Sequence, residues 1–74
     1  MKTNERRLLM AIADEQATGP RVRTICAEMG NCKQNWYSLQ KWCSRQWYDY
    51  GVSLDLGWLT ENGMERARDA QKVE

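Results

Sequence analysis

Histidine and phenylalanine are absent from this chain, and proline occurs once. Without histidine, the commonest metal ligand and the most used general acid–base side chain are both missing. The three cysteines, Cys26, Cys32 and Cys43, form no paired C-x-x-C knuckles. They lie on apolar stripes and are expected to be small buried residues. No metal or other cofactor is therefore expected. Nor is an enzyme: the chain shows no nucleophile elbow, Gly-rich phosphate loop or carboxylate pair at a useful spacing. No apolar run approaches the roughly 20 residues of a membrane span. The opening Met1-Lys2-Thr3-Asn4-Glu5 has no apolar leader, and an odd number of cysteines suits a reducing compartment. The expectation is a cytoplasmic protein with no membrane partner and no small-molecule ligand.

Length permits one domain, residues 1–74. A chain this short buries only about 60% of its unfolded surface. Four tryptophans and three tyrosines compensate, since each aromatic can bury about 150–250 Å². The net charge is +1, but the charges are unevenly placed. From Arg21 to Trp47 there are five cations and one acid, Glu28. From Asp49 onward, six acids face three cations. Such asymmetry points to an electrostatic footprint on one face.

The most informative stretch is Arg21 to Arg45, which reads as two short helices joined at Gly30-Asn31. In the second, helical spacing puts Cys32, Trp36, Leu39 and Cys43 on one apolar stripe, flanked by Asn35 and Trp42. Trp36 and Leu39 are expected in the core. Trp42 is expected to be partly buried against a hairpin, or exposed at an interface. The opposite face collects Lys33, Gln34, Tyr37, Ser38, Lys41, Ser44 and Arg45, with no acid among them. Hydroxyls, amides and cations are the types that bond phosphates and base edges. A solvated helix face has the same polarity, although it would usually include Glu or Asp. Asn31 with Gln34 fits a capping box.

Around this stretch, Thr3 to Ala17 reads as a first helix, capped by Thr3 or Asn4, with Leu8, Leu9, Ile12 and Ala13 inward. Thr18-Gly19-Pro20 stops it. Arg21-Val22-Arg23 alternates like an edge strand, and Thr24 would cap a helix whose Ile25, Cys26 and Met29 face inward. From Gln46 to Leu59, aromatic and β-branched residues suggest a hairpin. Its turn falls at Asp49-Tyr50-Gly51 or at Asp55-Leu56-Gly57. The alternation of Val52, Leu54 and Leu56 favours the first. Thr60 would cap a last helix from Glu61 to about Lys72, with Met64, Ala67, Ala70 and Gln71 inward.

That order of elements resembles a winged helix-turn-helix domain. Thr24-Ile25-Cys26-Ala27-Glu28-Met29-Gly30 is similar to the helix-two segment of bacterial and phage winged-helix transcriptional regulators. Gly57-Trp58-Leu59-Thr60-Glu61-Asn62-Gly63 is similar to the passage from their second wing strand into the last helix. The resemblance implies an α+β, mostly α fold: a three-helix core, a small β-hairpin wing and a C-terminal helix. It also implies duplex DNA binding, with helix three (about 32–45) in the major groove. By position, Lys33, Gln34, Tyr37, Ser38 and Lys41 would reach base edges or nearby phosphates, and Arg45 a phosphate. Arg21 and Arg23 would flank the groove. Thr24, starting helix two, would present backbone N–H groups to a phosphate. Departures are Gln40, where the family often has Leu, and Gln46-Trp47, where it often has Gly. The wing is acidic (Asp49, Asp55), which argues against a minor-groove grip. Winged helices also serve as protein–protein modules, docking through helix three or, here, the aromatic hairpin of Trp47, Tyr48 and Tyr50. Whether the chain acts as a monomer or homodimer stays open.

Overall fold

The computed structural model describes residues 1–72 and gives an α+β chain that is mostly helical. Its elements are α1 (Thr3–Glu15), α2 (Pro20–Met29), α3 (Cys32–Ser44), β1 (Tyr48–Asp49), β2 (Trp58–Leu59) and α4 (Glu61–Lys72). A 3-10 turn, Leu54–Leu56, lies between the strands. Helix α1 is central: it packs on α2, α3 and, most extensively, α4.

Leu8, Leu9 and Ile12 are buried on α1, as their spacing requires. The cap differs from expectation. Lys2 occupies the N-cap and makes no side-chain cap bond, while Asn4 instead donates to Asn35 Oδ1 at 3.1 Å. The helix ends at Gln16, which adopts φ 51°.

The strand expected at Arg21-Val22-Arg23 is absent; these residues are helical. Pro20 is the first residue of α2, where its fixed φ suits a helix and its missing N–H costs nothing. Val22, alone between two arginines, fits a buried helical position equally well and is fully buried. Thr24 is consequently not a cap. Its hydroxyl donates to Pro20 O, one turn back. The third-strand contact does form, but earlier: Thr18 makes an antiparallel bridge with Trp58.

The turn between α2 and α3 uses two positive-φ residues, Gly30 (76°) and Asn31 (54°). Asn31 makes no side-chain cap bond, so the expected capping box does not form. Asn35 organises the turn instead. It donates to Gly30 O at 2.7 Å and Cys26 O at 3.1 Å, and it accepts from Asn4. One buried amide thus fixes α2, the turn, α3 and α1 relative to each other.

The phase of α3 is a correction. Its buried stripe is Asn35, Ser38, Leu39 and Trp42, not Cys32, Trp36, Leu39 and Cys43. Trp42 is fully buried, whereas Trp36 is 43% exposed. Cys32 is exposed, Cys43 is half-buried and only Cys26 is buried.

The hairpin is shorter than its sequence suggests, pairing only Tyr48 with Leu59 and Asp49 with Trp58. The expected strand at Val52, Leu54 and Leu56 does not form. Val52 is exposed, and Leu54 is buried through the 3-10 turn. Tyr48 is the reason the loop folds back. Its buried hydroxyl donates to Leu54 O at 2.6 Å and accepts from Gly57 N–H at 2.9 Å. Gly57 is required there, because a side chain would strike Asp49 O and the Tyr48 ring.

Thr60 does cap α4, accepting from Gly63 N–H at 3.1 Å. Ala67 and Ala70 are buried and Met64 is half-buried, but Gln71 is exposed.

Candidate functional site

With the phase corrected, the outward arc of α3 runs through Trp36, Gln40, Lys33, Ser44, Tyr37, Lys41 and Gln34 to Arg45. Tyr37 sits near its centre and is 66% exposed. No acid occurs on this helix. Of the α3 residues expected at the site, Lys33, Gln34, Tyr37 and Arg45 are exposed and Lys41 is half-buried. Ser38 is buried, yet it still lines the floor of an adjoining hollow.

That hollow, about 240 Å³, lies between the start of α1 and α3. Lys2, Asn4, Lys33, Gln34, Tyr37 and Lys41 surround it, with Glu5 beneath. A second, more open hollow of about 660 Å³ shares Lys2, Glu5 and Lys41, and continues to Arg45, Trp47 and Arg66. Together they make a continuous face bearing Lys2, Lys33, Lys41, Arg45 and Arg66. For a chain of net charge +1, that is a strong concentration of positive charge.

Among the described residues, Glu5 is the only acid lining either hollow, and it is 4% exposed. Its two oxygens accept from Lys41 Nζ and Trp42 Nε1, both at 2.8 Å. Burial alone would push this carboxyl up. The bonds from Lys41 and Trp42, with the charges of Lys41 and Arg45, together hold it below the ordinary glutamate range. Glu5 is thus a structural anion. It orients Lys41 and satisfies the indole N–H of the largest core residue.

Arg21, Arg23 and Thr24 are not part of this face. Arg21 forms a two-pronged pair with Glu15 and reaches Glu28 at 3.5 Å. Arg23 pairs with Asp55 through bonds of 2.8 and 3.1 Å. It lines a separate hollow with Trp36, Cys32 and Cys26. Burial pushes the Cys26 thiol up to about 11, aided by Asp55 and Cys32, so it is a poor nucleophile. Thr24 lies a full turn inside α2, so its N–H is not at a helix end. The first amides of α2 are also engaged, with Arg21 N–H on Thr18 O and Val22 N–H on Gly19 O.

Sequence reasoning missed Lys2 and Arg66 of the basic face, and Gln40 of the exposed α3 arc beside it. For Gln40 the signal was present, since it shares a helix face with Lys33, Tyr37 and Ser44. Lys2 and Arg66 come from other elements, and no spacing in the chain reports their proximity. The aromatic hairpin proposed for partner docking is largely consumed. Tyr48 is buried, and Trp47 lies half-buried beneath Arg45 and Arg66; only Tyr50 is exposed. Exposed Trp36 and Trp58 line separate hollows.

Comparison with known protein families, curated proteins and solved structures gives no match.

Proposed function

We propose that this is a small winged helix-turn-helix protein that binds duplex DNA through α3, as a bacterial or phage transcriptional regulator would. The element order supports the winged-helix reading, as does the Thr18–Trp58 bridge joining the α1–α2 connection to the hairpin. The observation that carries the DNA reading is the acid-free outward arc of α3 set within a continuous basic face. Lys33, Tyr37, Gln40 and Ser44 occupy the part of the helix that would enter a major groove. Tyr37 and Gln40 offer hydrogen bonds to base edges, and Lys33 and Lys41 neutralise phosphates. The α3 helix is about 20 Å long at 1.5 Å per residue, ample for one groove.

Fluorescence anisotropy with a mixed-sequence duplex, at low and physiological salt, tests this. Micromolar binding that weakens steeply with salt is expected, with a log–log slope near −0.9 per phosphate contact. Tyr37→Ala and Gln40→Ala should reduce discrimination between duplex sequences more than they reduce binding to mixed sequence. No binding at low salt would remove the DNA reading. The protein–protein alternative would then rest on exposed Trp36, whose hollow with Cys32 and Arg23 lies beside α3.

A further inference from the structure

The end of α3 carries a group of charges that base recognition does not require. Arg45 follows the last turn of α3, and Arg66 is on α4. Both guanidinium groups lie over the same indole, Trp47, at 5.1 and 5.6 Å from its centroid. Lys2 and Lys41 face the same open hollow. Neither arginine has a carboxylate partner among the described residues. Glu5, the one acid among the described residues that line the hollow, already has each oxygen engaged. Both guanidinium groups line the same hollow beside one ring, so an anion entering it would meet two charge-assisted donors.

From this geometry we infer that Arg45 and Arg66, held over Trp47 and supported by Lys41 and Lys2, form a phosphate clamp for the DNA backbone. The clamp rests on the DNA reading above and deepens it. It places the backbone grip at the α4 side of α3 rather than at the acidic wing. Phosphodiester is the fitting ligand because an arginine fork matches two phosphate oxygens. Continuity with the α3 face makes the source a duplex lying along that helix.

The backbone beneath the clamp is tied to α4 by hydrogen bonds and a close glycine contact. Thr60 N–H donates to Trp47 O at 2.9 Å, and its hydroxyl donates to Gln46 O at 2.6 Å. Gly63 lets α4 lie directly on the Trp47 backbone, where any side chain would collide with the carbonyl. The segment Leu59-Thr60-Glu61-Asn62-Gly63 therefore fixes where Arg66 stands relative to Trp47. Such preorganisation lowers the ordering cost of binding.

The test uses the full chain and a mixed-sequence duplex, titrated by anisotropy across a salt series. Arg45→Ala, Arg66→Ala and Arg68→Ala are compared, with circular dichroism to establish that each is folded. Arg68 is on the same helix but lines a different hollow, with Trp58 and Glu61. Arg66→Ala and Arg45→Ala should each weaken binding about equally for all sequences and make the salt slope shallower by roughly 0.9. Arg68→Ala should leave the slope unchanged. If the wild-type chain binds and Arg66→Ala has its affinity and slope, the clamp is wrong while the DNA reading stands. If Arg68→Ala matches the loss of Arg66→Ala, only general charge is being measured and the clamp is equally wrong. Absence of wild-type binding at low salt overturns both.

Discussion

Glu5 shows how one side chain can serve the core and the surface together. It joins α1 to α3 by accepting from Trp42 and Lys41. Hydrogen bonds to a charged group contribute about 1.5–3 kcal/mol each. Glu5→Gln keeps an acceptor for Trp42 but loses the charge opposite Lys41. It should lower stability by about 1–3 kcal/mol in urea denaturation at neutral pH. The pH dependence has a definite sign. Because the folded carboxyl titrates below its ordinary value of 4.5, its stabilisation is fully present above that value. It is lost as pH falls through the lower folded value. The gap between wild type and Glu5→Gln should therefore close below about pH 4.5; a gap constant from pH 7 to 3 would show that the charge contributes nothing. The same substitution removes the one acid from the basic face, so its DNA affinity at low salt should rise.

Among the elements, α1 and α4 lie where hydrophobic spacing puts them, but α1 is capped by Lys2 and ends at Glu15, with left-handed Gln16 rather than Thr18-Gly19-Pro20 closing it. The phase of α3 was not legible, for a physical reason. Spacing arguments assign the inside by residue type, and type favours Trp36 and Cys32 over Asn35 and Ser38. Asn35 is nonetheless inside because three hydrogen bonds satisfy its amide, which removes the penalty for burying it. That rotates the stripe by about one residue and takes Trp42 with it. The misread strand at Arg21-Val22-Arg23 has a similar origin: one apolar residue between two arginines satisfies either period. The site was legible only where it lies on α3, because Lys2 and Arg66 join it through tertiary packing. The α3 register has a direct test. Trp42→Ala should cost about 3–5 kcal/mol, while Trp36→Ala should cost about 1 kcal/mol or less, measured by chemical denaturation. The reverse order would restore the phase read from residue type.

At the scale of the molecule, charge is sorted rather than balanced. Arg21 and Arg23 meet Glu15, Glu28 and Asp55 instead of joining the basic face. Lys2, Lys33, Arg45 and Arg66 have no such partners among the described residues. A near-neutral chain can thus present a basic surface. The fold also closes on itself, since α1 packs most extensively on α4. A fragment of residues 1–59 retains α1, α2, α3 and both strands yet leaves the α4-facing side of α1 uncovered. It should show no cooperative thermal transition by circular dichroism, whereas the full chain should melt in a single step. A cooperative melt of the fragment would show that α4 is dispensable for the core.

The contact between α1 and α4 also bears on synthesis. During translation the first helix emerges long before its main partner. At about 5–20 residues per second, α4 follows some seconds later. Until then Leu8, Leu9 and Ile12 have an incomplete enclosure. The basic face is assembled only when Arg66 of α4 reaches Trp47, so its charges from the start of α1, from α3 and from α4 come together only as α4 docks.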